Sequence, residues 1–300
     1  MNFRNNISYL FFFILILTSC IKEVDLKTNN LPNKVVINGF INPDSTFKVR
    51  VTLSSSMHEN KEIITNAIVK MYENGNYLFD LTHFGNGWYQ VWVKPEEGKH
   101  YRVEVTVPNY EMVYATTSIP VFPTIVSSKY EKMEKNQYLD WSYNAMTTIN
   151  FQDDPSIKNY YQPGVNHYRY EQTKEIDESI LTESDLDYQP THYYFSDLLF
   201  NGQQKQLKIM TGGMITENNF GGFYYQNDYT FPFSIVSEEY FNSIKRWTVH
   251  SFNQSSDNHL DDPISLLFLG DPIEMYSNVI GGYGVFAGYN KKLISVPAHE

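Results

Sequence analysis

The stretch Phe47-Lys48-Val49-Arg50-Val51-Thr52-Leu53 alternates apolar and polar side chains at every step. Successive side chains of a β-strand point to opposite faces of a sheet, so this period of two predicts a strand with one buried face. Similar short segments lie before and after it, and turn residues separate them. The clearest turns are Asn74-Gly75 and Asn86-Gly87, because both residue types tolerate the positive φ angles of a tight hairpin.

This spacing extends from residue 34 to about residue 117 and predicts about seven short strands. Such a pattern is typical of an antiparallel β-sandwich of the immunoglobulin or fibronectin type. We expect the sandwich domain to span residues 34–120. Ile119-Pro120-Val121-Phe122-Pro123 follows, and its two prolines fix φ and remove backbone donors. We therefore place a domain boundary there and expect a C-terminal β-rich domain over residues 121–300.

One segment of the second half has the period of a helix rather than a strand. Ser237 can cap the first free amides, and Glu238 and Glu239 lie where the helix dipole favours negative charge. Apolar residues then recur at helical spacing on one face; they are Val236, Tyr240, Phe241, Ile244 and Trp247. We predict one amphipathic helix near residues 237–252 in a mainly β protein.

The N-terminus carries an apolar run that ends at Leu17-Thr18-Ser19-Cys20. The run from Ile7 to Leu17 has the length of a signal-peptide core, about 7–15 residues, and is too short to span a bilayer. Cys20 is the only cysteine of the chain. We interpret the motif as a lipobox, in which cleavage removes a signal peptide of residues 1–19 and the Cys20 thiol receives lipid. A single membrane-anchor helix is the alternative.

Residues 20–33 are expected to form a lipidated tether. Lys22, Glu23 and Asp25 lie close to the modified cysteine, and they resemble the short charged export tag of surface lipoproteins in some Gram-negative bacteria. An ordinary solvated tether is the alternative. The Cys20 lipid would hold the mature protein on a membrane without a transmembrane segment, because several acyl chains together make release negligible.

Composition excludes some partners. The chain has 23 Lys and Arg against 34 Asp and Glu, a formal net charge of −11. Nucleic-acid binding requires clustered cations, so we expect no nucleic-acid partner. With Cys20 consumed by lipid, no internal disulfide can form, and packing must stabilise the fold. The 24 tyrosines suit β-sheets, in which a ring packs at one end and contacts water at the other.

Motifs for catalysis, cofactors and metals are weak. Gly282 to Ala287 matches the dinucleotide pattern G-x-G-x-x-A, but too few residues follow for the required helix and acid. We interpret these glycines as allowing close strand packing. The oxygen-rich segment 257–262 lacks the EF-hand order of ligands and is expected to be a solvated loop. We predict no catalytic residue, no cofactor and no metal site, and we expect the protein not to be an enzyme.

An aromatic segment over residues 220–233 is the candidate contact surface. Exposed aromatic clusters bind sugars, peptides or proteins, and Tyr224, Tyr225 and Tyr229 are the candidate ligand or partner contacts. The alternative is that these aromatic residues alternate along strands and fill a second core.

Several motifs, in this order, resemble one known family. They are Asn159-Tyr160-Tyr161, Phe195 to Gly202 (FSDLLFNG), the helix from Ser237 to Trp247, Asp271-Pro272-Ile273 and Ser277 to Tyr289 (SNVIGGYGVFAGY). Together with the lipobox and the strand from Val35 to Phe40, they resemble the uncharacterised lipoproteins catalogued as domain of unknown function 4249. The resemblance implies an outer-membrane lipoprotein, commonly found beside TonB-dependent transporters, with no assigned activity and no catalytic residues.

The expected function is that of a lipid-anchored, surface-exposed binding or accessory subunit of the outer membrane. Its partner in nutrient uptake would be a TonB-dependent transporter. A surface adhesion or envelope structural protein is the alternative, and a hydrolase on the same anchor is the third hypothesis.

Replacement of the anchor residue tests the lipobox. Cys20→Ala removes the thiol that accepts lipid, so we expect the protein to be released from membranes or to stall with its leader attached. Carbonate washing of membranes, followed by mass spectrometry of the mature N-terminus, measures this. Membrane retention of Cys20→Ala equal to that of the wild-type protein would contradict the interpretation.

Overall fold

The computed structural model describes residues 32–55, 62–135, 142–163, 174–175, 194–217, 223–225, 230–254 and 273–299. The segment Asn33–Glu300 forms a compact unit of its own. Its described residues are mainly strands, with one helix, which confirms the predicted mainly β fold class.

The N-terminal part contains the seven strands that the sequence predicts. Each is antiparallel to its neighbours among the seven. Asn74-Gly75 and Asn86-Gly87 form two of the hairpin turns, with positive φ at all four residues. The strands are β1 (Val35–Ile41), β2 (Lys48–Leu53), β3 (Ile68–Glu73), β4 (Asn76–Gly85), β5 (Trp88–Gln90), β6 (His100–Thr106) and β7 (Val113–Ser118).

The rest of the described chain adds longer strands and the helix. The helix α1 (Glu238–Gln254) lies where it was predicted, and Ser237 caps it, since the amide of Tyr240 donates to Ser237 Oγ at 3.3 Å. The strands are β8 (Thr124–Lys135), β9 (Ser142–Gln152), β10 (Tyr160–Pro163), β11 (Lys174–Glu175), β12 (Phe195–Ser196), β13 (Gln204–Glu217), β14 (Phe223–Tyr225), β15 (Thr230–Val236), β16 (Tyr283–Ser295) and β17 (Ala298–His299).

The strands form two sheets, and the larger one is mixed. Its order is β12-β10-β15-β16-β1-β2-β5-β4-β3-β6-β7, while the smaller sheet runs β11-β13-β9-β8-β17 with β14 on β13. Strand β16 pairs parallel with β1, from Val36 opposite Tyr283 to Ile41 opposite Gly288. The seven N-terminal strands are thus antiparallel to one another, as predicted, and a C-terminal strand that the sequence did not assign to this sheet makes it mixed. The domain boundary at residue 120 stays a prediction, as does the immunoglobulin-like detail.

The described residues contain three buried apolar clusters, and the two largest are the first and second cores. In the first, Ile37, Val49 and Val51 of β1 and β2 are in the same buried cluster as Val103 and Val105 of β6. The two halves of the larger sheet thus pack against each other across this core, as in a sandwich. The second core is aromatic and contains Phe151, Tyr161, Phe195, Phe231 and Phe233.

Close approach of backbones fixes the pairing of β16 with β1. Gly284 has φ +112°, and a Cβ built on it would lie 2.0 Å from the carbonyl oxygen of Ile37. No side chain fits at that distance, so glycine is required for the parallel pair to form. This confirms that the glycines of the 282–287 motif allow close strand packing.

Alanine substitution at Gly284 tests this constraint. Gly284→Ala should lower the free energy of unfolding by about 3 kcal/mol, since backbone strain adds to a clash with β1. Gly75→Ala is the matched control, because Gly75 also has positive φ (+86°) but has no neighbour within 4 Å of a built Cβ. We expect the control to cost about 1 kcal/mol, from strain alone. Urea unfolding measures both, and equal losses would contradict the close approach.

Candidate functional site

Most of the predicted site residues lie outside the described part of the chain. These are Cys20, Lys22, Glu23, Asp25 and Tyr229. Tyr224 and Tyr225 lie on β14, where they pair with Thr216 and Ile215 of β13. Their role in ligand or partner contact stays a prediction. Two other aromatic residues of the same segment, Phe231 and Phe233, are fully buried in the second core, so for them the core interpretation is correct.

A buried polar network joins two loops beside the second core. Asp153 and Asp197 are each only 2% exposed, and Asn159 lies between them. The amide of Asn159 donates to Asp197 Oδ2 at 2.7 Å, and its side-chain amide donates to Asp153 Oδ1 at 3.3 Å. The amide of Gly202 donates to Asp153 Oδ2 at 2.7 Å, and the hydroxyl of Tyr161 donates to Asp153 Oδ1.

Burial sets the electrostatics of this network. It raises the pKa of Asp197, with a smaller contribution from the charge of Asp153, while the bond from the amide of Asn159 opposes the shift. Burial and the bond to Asp153 also raise the pKa of Tyr161. Each carboxylate accepts from a backbone amide of the other loop, Asp197 from Asn159 and Asp153 from Gly202. The arrangement therefore fixes the geometry of the two loops.

A second feature is a cleft of about 770 Å³ beside the N-terminus of α1. Arg102, Thr117, Lys158 and Glu239 are among its lining residues. At its floor, Thr117 Oγ1 lies 2.8 Å from Glu239 Oε2 and 3.1 Å from Ser237 Oγ, and the amide of Gly288 donates to Thr117 Oγ1 at 2.9 Å. These bonds join β7, α1 and β16. These polar groups thus hold the three elements together.

The third feature is the outer face of β2, β5 and the end of β4, which points away from the first core. Along the three strands, the residues of this face alternate with residues of the first core, which are Val49, Tyr89 and Leu81. The register places Arg50 opposite Trp88, and Lys48 and Thr82 both opposite Gln90. We call this surface the aromatic–cationic face; it consists of Lys48, Arg50, Phe84, Trp88 and Trp92.

Two aromatic residues of this face are unusually exposed. Trp92 is 78% exposed and Phe84 is 67% exposed, and their rings meet edge to face with centroids 6.4 Å apart. The ladder continues past Gln90 through the bond from the amide of Phe47 to the carbonyl of Val93 at 3.0 Å. The backbone of Trp92 is therefore held by the sheet, while its indole lies in solvent. An aromatic pair in this position is typical of a contact surface.

The two cations of the face stack on the third aromatic ring. Lys48 Nζ lies 4.3 Å from the centroid of the Trp88 ring, and the Arg50 guanidinium lies 6.0 Å from the same centroid. Arg50 also donates from Nε to the carbonyl of Asn86 at 3.3 Å. Among the described residues, neither cation forms an ion pair with a carboxylate; the ion pairs involve Lys99, Arg102, Lys129 and Lys292.

A sequence model for "Domain of unknown function (DUF4249)" matches residues 21–294, nearly the whole chain. The chain belongs to the DUF4249 family. No curated protein matches it. Two motifs that carried the resemblance to DUF4249 meet in the polar network, since Asn159-Tyr160-Tyr161 supplies its centre and the segment from Phe195 to Gly202 its second loop. A third motif forms the start of β16.

Two further findings on this DUF4249 protein concern membrane-spanning helices and metal ligands. In that part of the chain, no helix is both long enough and apolar enough to cross a bilayer. Nor do those residues contain a group of three or more His, Cys, Asp or Glu that could hold a metal ion. The oxygen-rich segment 257–262 lies outside them.

Substitution at Asp197 tests the role of the polar network. Asp197→Asn keeps an oxygen that accepts from the amide of Asn159 and removes a buried charge beside Asp153, so stability at pH 7 should be unchanged or higher. Asp197→Ala leaves that amide unpaired and should cost about 1–3 kcal/mol. Urea unfolding of both variants measures this, and equal losses in Asn and Ala would contradict the assignment.

The sign of the pH dependence follows from the raised pKa. Between the ordinary value of 3.8 and the raised folded-state pKa of Asp197, the folded protein binds more protons than the unfolded chain. The stabilising contribution is therefore complete below pH 3.8 and is lost as pH rises through the folded-state pKa. The difference in stability between Asp197→Asn and the wild-type protein should thus be larger at about pH 7 than at about pH 4.

Proposed function

We propose that this DUF4249 protein is a lipid-anchored binding or accessory lipoprotein of the outer membrane, exposed at the cell surface. Its partner is a TonB-dependent transporter that takes up nutrients, and its task is contact with cargo or transporter rather than catalysis. The segment Leu17 to Cys20 supports the anchor, since it has the form of a lipobox. Lys22, Glu23 and Asp25 support export to the surface, and the family resemblance supports the transporter.

The aromatic–cationic face is the observation that carries the proposal. An exposed apolar area costs roughly 25 cal/mol per Å² relative to burial, and Trp92 and Phe84 leave most of their surface in water. The chain has a net charge of −11, yet the two cations of this face have no carboxylate partner within the described part of it. Both features favour a surface that another molecule covers.

The buried acids support contact over hydrolysis. Asp153 and Asp197 are occupied by amide and hydroxyl donors, and a pair of hydrolytic carboxylates must instead face a substrate and a water molecule. The alternative of a surface adhesion or envelope structural protein uses the same anchor and the same exposed face. It differs in the partner, which is a surface or a neighbouring envelope component rather than a transporter.

Recovery of the intact lipoprotein with its partner tests the proposal. The full-length protein, tagged at its C-terminus and produced at its normal level, is extracted in mild detergent and purified. We expect a TonB-dependent transporter to be recovered with it in comparable amount. A different outer-membrane lipoprotein with the same tag is the control for carry-over of abundant transporters. Recovery of the protein alone would contradict the transporter partnership.

Deletion of the gene separates this proposal from the adhesion alternative. Loss of uptake of one nutrient, with normal attachment of cells to surfaces, agrees with the accessory role. Defective attachment with unchanged uptake would favour adhesion.

A further inference from the structure

Three cations that form no ion pair among the described residues lie on aromatic rings on the outer side of the large sheet. Lys48 and Arg50 both stack on Trp88, and Lys34 Nζ lies 4.9 Å from the centroid of the Tyr283 ring. Strand alternation places Tyr283 on the same outer side, because Phe286 of β16 is in the first core. None of the three cations has a carboxylate partner among the described residues.

This charge arrangement favours an anionic ligand. The chain as a whole is acidic, with a net charge of −11, yet this face carries cations that form no ion pair among the described residues. Asp80, an acid on the outward row of β4, accepts a hydrogen bond from the hydroxyl of Tyr77 and pairs with none of them. An incoming anion would therefore gain these cations without breaking any ion pair that the described residues form.

The shape of the face decides between classes of anion. β2, β5 and β4 are each paired on both sides, so an acidic peptide cannot bind here by adding a strand. The rings of Trp92 and Phe84 project into solvent, whereas an amphipathic helix requires a groove. Three cations are too few for the charge density of nucleic acid. Flat rings beside cations on an open face instead match sugar rings, which have apolar faces and carry acidic groups at their edges.

We propose that the aromatic–cationic face binds an acidic polysaccharide. Sugar rings lie against Trp92 and Phe84, while carboxylate or sulfate groups are held by Lys48 and Arg50. The proposal deepens the function proposed above and rests on it, because capture of a polymer serves uptake only when the protein is anchored at the envelope.

Affinity electrophoresis and calorimetry test the proposal with the full-length chain in detergent. The probes are polygalacturonate, alginate and chondroitin sulfate, with methyl-esterified polygalacturonate as the matched neutral polymer. We expect at least one acidic polymer to bind, and its neutral or desulfated form to bind about tenfold more weakly. Binding should also weaken as salt is raised, since screening shortens the range of charge attraction to about 3 Å at 1 M.

Two variants test whether the polymer binds to this face, and two others are controls. Trp92→Ala and Lys48→Gln should each weaken it by about fivefold or more, as expected for a central contact. Leu293→Ala and Lys291→Gln are the matched controls, because both lie on β16, Leu293 is similarly exposed (63%) and Lys291 is likewise an exposed strand lysine. The controls should bind as the wild-type protein does. Circular dichroism shows that each variant is folded.

Four outcomes would overturn the proposal. These are no binding to any of the three acidic polymers, equal binding of the neutral form, equal loss in the controls, and displacement of the polymer by polyglutamate at equal charge. Concentration-dependent dimerisation that Trp92→Ala abolishes would overturn it too, since a second copy would then occupy the face. Loss of polymer binding with intact transporter recovery removes this inference alone, whereas recovery of the lipoprotein alone removes the function on which it rests.

Discussion

The parallel pairing of β16 with β1 is the constraint on which the rest of the fold depends. Strand β16 pairs with β1 on one side and with β15 on the other, so it connects the strands around the first core with those around the second. Its register requires Gly284 to lie against the backbone of Ile37. The same strand brings Gly288 to Thr117 and Ser237, where the helix begins. The first core thus closes only when residues near the C-terminus are in place, and such non-local pairing is slow to form.

Local patterns were sufficient to predict the elements. Alternation along short segments such as Phe47 to Leu53, together with the Asn-Gly turns, predicted β1 to β7, because side-chain period and backbone φ are properties of a few adjacent residues. Ser237 with two acids predicted the start of α1 for the same reason. The pairing of β16 with β1 could not be predicted in this way. The partner of a strand is set by packing across the whole chain, and the pattern of β1 does not encode it.

The residues of the candidate sites likewise divide into those that a local sequence pattern predicts and those whose position depends on packing across the chain. Phe231 and Phe233 belong to an aromatic segment that could have been surface or core, and only the packing of the second core decides that they are buried. Asp153 and Asp197 give no signal in a chain with 34 acids, since an acid is ordinarily exposed and their burial depends on donors from two separate loops. The alternation that predicts β2 also orients Lys48 and Arg50 outward. The position of Trp88 beside them, however, requires the register of β5.

The stacking of cations on Trp88 suits the face to binding. A free lysine or arginine side chain loses much rotational freedom when it binds a ligand, and this loss of entropy weakens association. Here the Trp88 ring already holds Lys48 and Arg50, and the sheet holds Trp88 through its pairing with β2 and β4. Part of the side-chain entropy that ligand binding would remove is therefore already lost when the protein folds. A cation over a ring also keeps its charge available, whereas a cation in an ion pair must exchange one carboxylate for another. A sheet that has no unpaired strand beneath these residues can thus present a rigid binding face while its own fold stays closed.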